Sequence, residues 1–233
     1  MSKKFADGFL VDRILYRDGL MLIIDKPAGI PVHAGPATRA TQSDHLEYYF
    51  DALRFGLPKR PALAHRLDRD TSGCLVLGRH PKALRKLGKL FSDGRIEKTY
   101  WAICKGVPDK LSGSIDAPLE KFTEKSGWRM RIDEAGKPAR TTYRVIAQSD
   151  DLSFIEAKPK TGRTHQIRVH LAHIGAPILG DRVYGKFSGD DREHPMMLHA
   201  RRIIVPISKN KPAITVEAEP PDAMAMQLRI LNA

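Results

Sequence analysis

Three polar strings in this chain hold residue types that could do chemistry. The first is His65-Arg66-Leu67-Asp68-Arg69-Asp70-Thr71-Ser72-Gly73, set directly before the apolar run GCLVL. A carboxylate at the mouth of a buried strand is partly desolvated, which favours its protonated form, whereas a neighbouring arginine holds it ionised. An ionised but poorly hydrated carboxylate serves as a nucleophile or an electrostatic stabiliser. The plainer alternative is a structural Asp–Arg pair followed by an Asx or Ser/Thr turn. From the residues alone, Asp68 and Asp70 are equal candidates.

The second string is Lys160-Thr161-Gly162-Arg163-Thr164-His165-Gln166-Ile167-Arg168. A glycine before a helix start offers close backbone approach and unpaired N–H groups, which together suit an anion. Arg163 is equally placed to pair with a carboxylate from the first string. His165, His170 and His173 raise the question of a metal. Only the last two share a helical face, and no Cys or Asp within the helix completes a ligand set, so no metal is expected. His165 is expected to support the helix start.

The third string is Lys98-Thr99-Tyr100-Trp101-Ala102. Strand alternation sends Tyr100 and Trp101 to opposite faces. Trp101 is read as a core aromatic. Tyr100 is either core or a pocket residue that stacks on a base and offers its hydroxyl for proton transfer. The chain has no GxSxG elbow, P-loop, GxGxxG or HExxH string.

Elements must position these strings. Leu20–Asp25 reads as a buried strand, ended by the Lys-Pro-Ala-Gly turn. Ser43–Phe55 reads as a helix capped by Ser43, with Leu46, Tyr49, Phe50 and Leu53 on one face. Gly73–Leu77 is a second buried strand. Pro81–Ser92 is a helix with Pro81 in the first turn and Gly94 past its end. Lys98–Cys104 is a strand, and residues 105–127 form a long loop or hairpin. Thr141–Ala147 and Leu152–Ala157 are adjacent strands. Thr164–Ile174 is a helix with Ile167, Leu171 and Ile174 at i, i+4 and i+7, closed by Gly175. Leu198–Val205 and Ile214–Ala218 are late strands, and Ala223–Leu231 is a short helix. Periodicity thus yields about eight strands and four helices, an α+β chain with a mixed, mainly antiparallel sheet. Residues 1–13 are expected to form a loose arm and 14–233 a single domain.

Hydrophobic residues make up 42% of the 233 and charged residues 28%, which excludes disorder for the bulk of the chain. The formal net charge is +12, which points to a polyanion. From Arg79 to Lys105 eight basic residues face only Asp93 and Glu97. Lys82, Arg85, Lys86 and Lys89 lie opposite the leucine stripe of the Pro81 helix, where they are expected to touch a phosphate backbone rather than form only a solvated face. No apolar stretch approaches the ~20 residues that span a bilayer. The first residues lack the apolar run of a signal peptide. Cys74 and Cys104 are read as reduced core thiols, consistent with a cytoplasmic location.

In this order the three strings resemble the RluA family of pseudouridine synthases. HRLDRDTSG is similar to that family's catalytic segment, KTYWA to its tyrosine segment and KTGRTHQIRVHLAHIGAPILGD to its arginine segment. LIIDKPAGIPVH, GKPARTTYRV and MMLHARRI extend the likeness over residues 14 to 220. The resemblance implies a sheet with peripheral helices and a central catalytic cleft, and a short subgroup without an S4-type N-terminal module. It implies that Asp68, not Asp70, is the catalytic aspartate, that Arg163 pairs with it, and that Tyr100 is the active-site tyrosine. Ile167 would pack by the target uracil and Arg66 would help displace the nucleotide, with Thr71 and His165 also toward substrate. The implied reaction converts uridines of ribosomal RNA, transfer RNA or both to pseudouridine. It needs no cofactor, and no protein partner is expected beyond structured RNA; the chain is expected to be a monomer. Two other readings use the same residues: an RNA-binding protein that keeps the fold without activity, and a hydrolase built on Asp68 with Ser72 or His165.

Overall fold

β-branched and leucine-rich runs set the strands. In the computed structural model, which describes residues 5–6, 8–34, 44–124, 127–185, 187, 191, 193–208 and 210–232, the chain divides into two compact units. One comprises Met1–Ile96 and Ala200–Glu219, the other Glu97–His199 and Pro220–Ala233.

The first unit holds β1 (Ile14–Arg17), β2 (Met21–Lys26), β3 (Ala62–Leu63), β4 (Ser72–Gly78) and α1 (Pro81–Ser92). In the second lie β5 (Glu97–Lys105), β6 (Ser112–Asp116), β7 (Leu119–Glu124), β8 (Gly127–Ile132), β9 (Arg140–Gln148), β10 (Leu152–Pro159) and α2 (Gln166–His173). The chain then forms β11 (Leu198–Val205), which enters the first unit at Ala200, then β12 (Ile214–Glu217), and ends in the second unit with α3 (Asp222–Ile230).

In the first unit the strands lie in the order β1-β2-β4-β11, with β3 on β4 and β12 on β11. β1–β2, β2–β4, β3–β4 and β11–β12 are antiparallel. All seven residues of β4 are buried, which is why GCLVL carries no polar alternation. Met21, Ile23, Cys74, Val76, Leu87, Leu90, Ile203, Val205 and Val216 form one apolar cluster beneath α1. α1 starts as its sequence requires: Pro81 occupies the first turn, and His80 accepts the Ala83 N–H on Nδ1 at 3.2 Å. Lys82, Arg85, Lys86 and Lys89 are all exposed.

In the second unit the order is β5-β10-β9-β6, again antiparallel, beside the separate hairpin β7–β8. Leu119, Ala139 and Val169 pack together with Met130, Ile132 and Tyr184, which fastens the hairpin to α2.

Several expectations are corrected. The helix expected over Ser43–Phe55 is a 3-10 helix, Leu46–Leu53; the same four apolar residues are buried, and the left-handed Phe55 and Gly56 end it. Ser43 lies outside the described residues. The 105–127 stretch is neither one loop nor a hairpin of its own: it contains β6, which pairs with β9, and β7, which opens the β7–β8 hairpin. α2 is not amphipathic: Gln166 through Leu171 are all buried, so its arginine and histidine need internal partners. Within the stretch expected as a loose arm, Leu10 is fully buried, and Phe5 and Phe9 pack on Tyr49.

Candidate functional site

The Asp68 segment is a tight turn. The Thr71 N–H donates to the Asp68 carbonyl at 3.2 Å, and Thr71 and Ser72 already belong to the buried interior. Thr-Ser-Gly is therefore not a turn of its own, because Ser72 opens β4. Gly73 is required there. Its φ is +100°, and a Cβ would stand 2.4 Å from the Ala200 carbonyl oxygen. The turn is held from β2 by Lys26, a fully buried residue whose ammonium donates to the carbonyls of Pro27, Arg69 and Thr71 at 2.8, 2.9 and 2.9 Å. The Gly29 N–H adds a second bond to the Arg69 carbonyl at 3.0 Å. Four backbone groups of the turn, the Asp68, Arg69 and Thr71 carbonyls and the Thr71 N–H, are thus fixed by Lys26, Gly29 and the turn itself. Asp68 is half-buried and Arg66 exposed. Asp70 pairs with its exposed neighbour Arg69 at 3.2 Å. His65 accepts the Val76 N–H on Nε2 at 3.0 Å and stacks on Phe91 at 4.5 Å, so its neutral ring carries the proton on Nδ1.

In the second unit, Arg163 is exposed and donates through Nε to the Pro138 carbonyl at 3.1 Å, which leaves four further N–H donors on the guanidinium. Its backbone is set by Gln166, a buried residue that uses its full hydrogen-bonding capacity. Oε1 accepts the Arg163 N–H at 3.0 Å and the Thr161 hydroxyl at 2.7 Å, and Nε2 donates to the Arg140 carbonyl and the Thr141 hydroxyl at 3.0 Å each. The expected anion cradle is therefore occupied in part by this side chain. Gly162 is not conformationally required: its nearest neighbour for a Cβ is the Lys98 ammonium at 4.0 Å. Lys98 donates to the Thr161 carbonyl at 3.2 Å, and burial pulls its pKa down to about 8.

Tyr100 lies in β5 opposite Ala157 of β10 and is buried. Trp101 packs edge-on against Phe154 at 5.2 Å. Ile167 is buried in the first turn of α2.

His165 occupies the N-cap position of α2 with a left-handed backbone, φ 53°, and its carbonyl accepts the Val169 N–H at 3.0 Å, but its side chain makes no capping bond. Nδ1 instead lies 2.8 Å from the Tyr184 hydroxyl, and the ring stacks on Trp128. His170 is buried, with Nδ1 at 2.9 Å from the Thr141 hydroxyl and Nε2 at 3.0 Å from the Ala117 carbonyl. A carbonyl only accepts, so Nε2 carries the proton and Nδ1 accepts from Thr141. Burial keeps the His170 pKa below the usual imidazole value. The inner face of α2 is closed by Arg168, which forks onto buried Asp181 at 2.7 and 2.9 Å. Burial pushes the Asp181 carboxyl up, but the Arg168 fork and the Val183 and Tyr184 amides outweigh it and hold the pKa low. Among the described residues no three His, Cys, Asp or Glu side chains are grouped to hold a metal, and no helix is long and apolar enough to cross a membrane. Cys74 and Cys104 are buried thiols; burial raises the pKa of both, that of Cys74 to about 12.

Sequence reasoning overlooked Lys26 and Gln166. Their signal is only that a lone charged or amide residue borders an apolar run, which resembles an ordinary surface position.

Residues 20–173 match the RNA pseudouridylate synthase family model. An uncharacterised RNA pseudouridine synthase of Zymomonas mobilis is 46% identical over 216 residues, 92% of this chain and 96% of that protein. Ribosomal large subunit pseudouridine synthase D of Borreliella burgdorferi is 36% identical over 201 residues, 84% of this chain and 62% of that one. The corresponding synthase C of Buchnera aphidicola from Acyrthosiphon pisum is 37% identical, with 90% of this chain and 67% of that one covered. Among solved structures, human RNA pseudouridylate synthase domain containing 4 superposes with a TM-score of 0.78 at 26% identity, over 96% of this chain and 94% of the other.

Proposed function

This chain belongs to the RNA pseudouridylate synthase family, and we propose that it isomerises specific uridines of ribosomal RNA, transfer RNA or both, with Asp68 as the catalytic carboxylate. The relatives named as ribosomal large subunit synthases support ribosomal RNA as a substrate. The observation that supports the assignment of Asp68 is its rigid turn, clamped by the buried Lys26 ammonium.

The reaction breaks the N1–C1′ bond of uridine, turns the uracil and joins C5 to C1′, with loss of the C5 proton. No electron or group donor enters, so the residues themselves supply the chemistry. Asp68 attacks C1′ or acts on the sugar to release the base. Arg163 is its proposed partner, and a guanidinium beside the carboxylate keeps it ionised where an isolated one would take up a proton. Tyr100 and Ile167 retain the freed uracil, and Tyr100 or water near it helps remove the C5 proton. Arg66 enters the space the nucleotide leaves, and Thr71 and His165 contact the substrate. Flipping the nucleotide costs a few kcal/mol, offset by pocket contacts and by phosphate contacts on the basic face of α1. The enzyme is proposed to act as a cytoplasmic monomer.

The test is Asp68→Asn. The variant is expected to release no tritium from RNA labelled at uridine C5 while still binding that RNA. Full turnover would overturn the assignment. Mapping pseudouridines in total RNA from cells with and without the protein identifies the modified site.

A further inference from the structure

We propose that the indole of Trp128 is a stacking platform for one unpaired nucleobase of the RNA, a subsite beyond the residues that take the target uridine. It rests on the RNA-modifying reading above and deepens it. Trp128 lies in β8 and keeps 48% of its surface exposed. An indole packed for stability alone is buried; this one is held by the His165 ring and approached by the Lys121 side chain, yet about half of its surface faces solvent.

The holding is a continuous chain of contacts within one unit. The His165 ring lies 5.2 Å from the indole and within 20° of parallel. Tyr184 receives the Met130 N–H on its hydroxyl at 2.9 Å and meets His165 Nδ1 at 2.8 Å. The Arg168 guanidinium sits over the Tyr184 ring at 5.0 Å and is itself fixed on buried Asp181. A buried ion pair thus braces a surface indole through two further rings. The imidazole is aimed by a left-handed backbone at His165, a strained conformation for a non-glycine residue that persists where the surroundings enforce it.

The chemistry around the ring selects the occupant. Lys121 Nζ lies 5.1 Å from the indole centroid, Arg163 is two residues from His165, and both Arg163 and Arg182 are exposed. A cation at the ring, with further exposed arginines on the same unit, suits a flat π-system that arrives with phosphates on either side, which describes an unstacked nucleotide. An apolar protein segment would gain nothing from those charges. Lys121 is a flexible side chain, so its ammonium follows the phosphate when a base covers the ring.

The chain has two tryptophans, so Trp101→Phe leaves Trp128 as the only indole and its emission reports on this subsite. The probe is a stem–loop RNA with a single-stranded uridine loop; the control carries abasic residues in that loop. The uridine loop is expected to quench Trp128 saturably and the abasic one is not. Trp128→Ala is expected to weaken binding of the stem–loop about tenfold, with Trp128→Phe recovering part and the loss in turnover falling on KM. Unchanged emission at saturating RNA, equal quenching by the abasic loop, or wild-type affinity in Trp128→Ala each overturns the platform. Quenching without any pseudouridine formed would sustain the platform and instead count against the catalytic reading.

Discussion

Gln166 Oε1 accepts the backbone N–H of Arg163 at 3.0 Å, and this bond ties the loop before α2 to the interior of the second unit. The same amide reaches Thr161, Arg140 and Thr141. Gln166→Leu strips these partners at once and leaves buried polar groups unpaired, at about 1–3 kcal/mol each where water cannot reach them. We expect a lower urea midpoint and, at temperatures where the variant stays folded, a single-turnover rate at least tenfold below wild type, because Arg163 no longer has a fixed backbone. Gln166→Glu keeps the acceptors but loses both donors, and is expected to do no better. A wild-type rate in Gln166→Leu would show that Arg163 does not depend on this amide.

Lys26 offers a parallel case in the first unit. Its ammonium satisfies three carbonyls in a place water does not reach. Lys26→Met fits the volume but deserts the oxygens. We expect about 3 kcal/mol of destabilisation, and at low temperature a kcat loss out of proportion to any change in RNA affinity. Denaturant titration and turnover measured on one preparation check both. Equal loss of affinity and kcat would mean that the lysine holds the unit together without setting the Asp68 turn.

These two residues also show where sequence reading stops. β2 and β4 were legible because strands buried on both faces read as unbroken apolar runs. β7 and β8 were not: β7 has no two-residue apolar period, and β8 alternates Trp128, Met130 and Ile132 with arginines but buries none of its residues fully, so only a short, exposed pattern marks it. The strings carrying Asp68, Tyr100 and Arg163 stood out by their polar density. The groups that hold them did not, since the partners of Gln166 come from positions 140, 141, 161 and 163 and meet only in the fold. Arg168 and His170 show the same. Both lie outside the Ile167, Leu171, Ile174 stripe, yet both are buried, and Asp181, Thr141 and Ala117 complete them from elsewhere in the chain.

The Arg168–Asp181 pair carries its own prediction. Arg168→Met leaves a buried carboxylate without its cation and is expected to cost about 3–5 kcal/mol, whereas replacing both residues with apolar ones of similar volume recovers most of that. The Asp181 pKa is lowered in the fold, so its stabilisation is complete above the unfolded value of about 3.9 and fades as pH falls through the lower folded value. Thermal melts between pH 5 and 8 (about one unit or more above that range) should then show almost no slope from this pair. A double variant as unstable as the single one would contradict the compensation argument.

Lys98 gives the opposite pH signature. Burial lowers its folded pKa to about 8, while the unfolded chain titrates near 10.4. Between those values the unfolded state binds more protons, so stability rises with pH across that window; below about 8 the full cost of burying the charge is present. Lys98→Met is expected to remove the rise, of order 3 kcal/mol, when denaturation is followed from neutral pH to about 10.4. Its ammonium also lies against Thr161 and Gly162, directly before Arg163, so the charge is lost from that loop above pH 8. Single-turnover rates should fall on that alkaline limb. Lys98→Arg, which stays protonated, should hold its rate constant through the same range. Parallel pH profiles for wild type and Lys98→Arg would show that this charge plays no part in setting the loop.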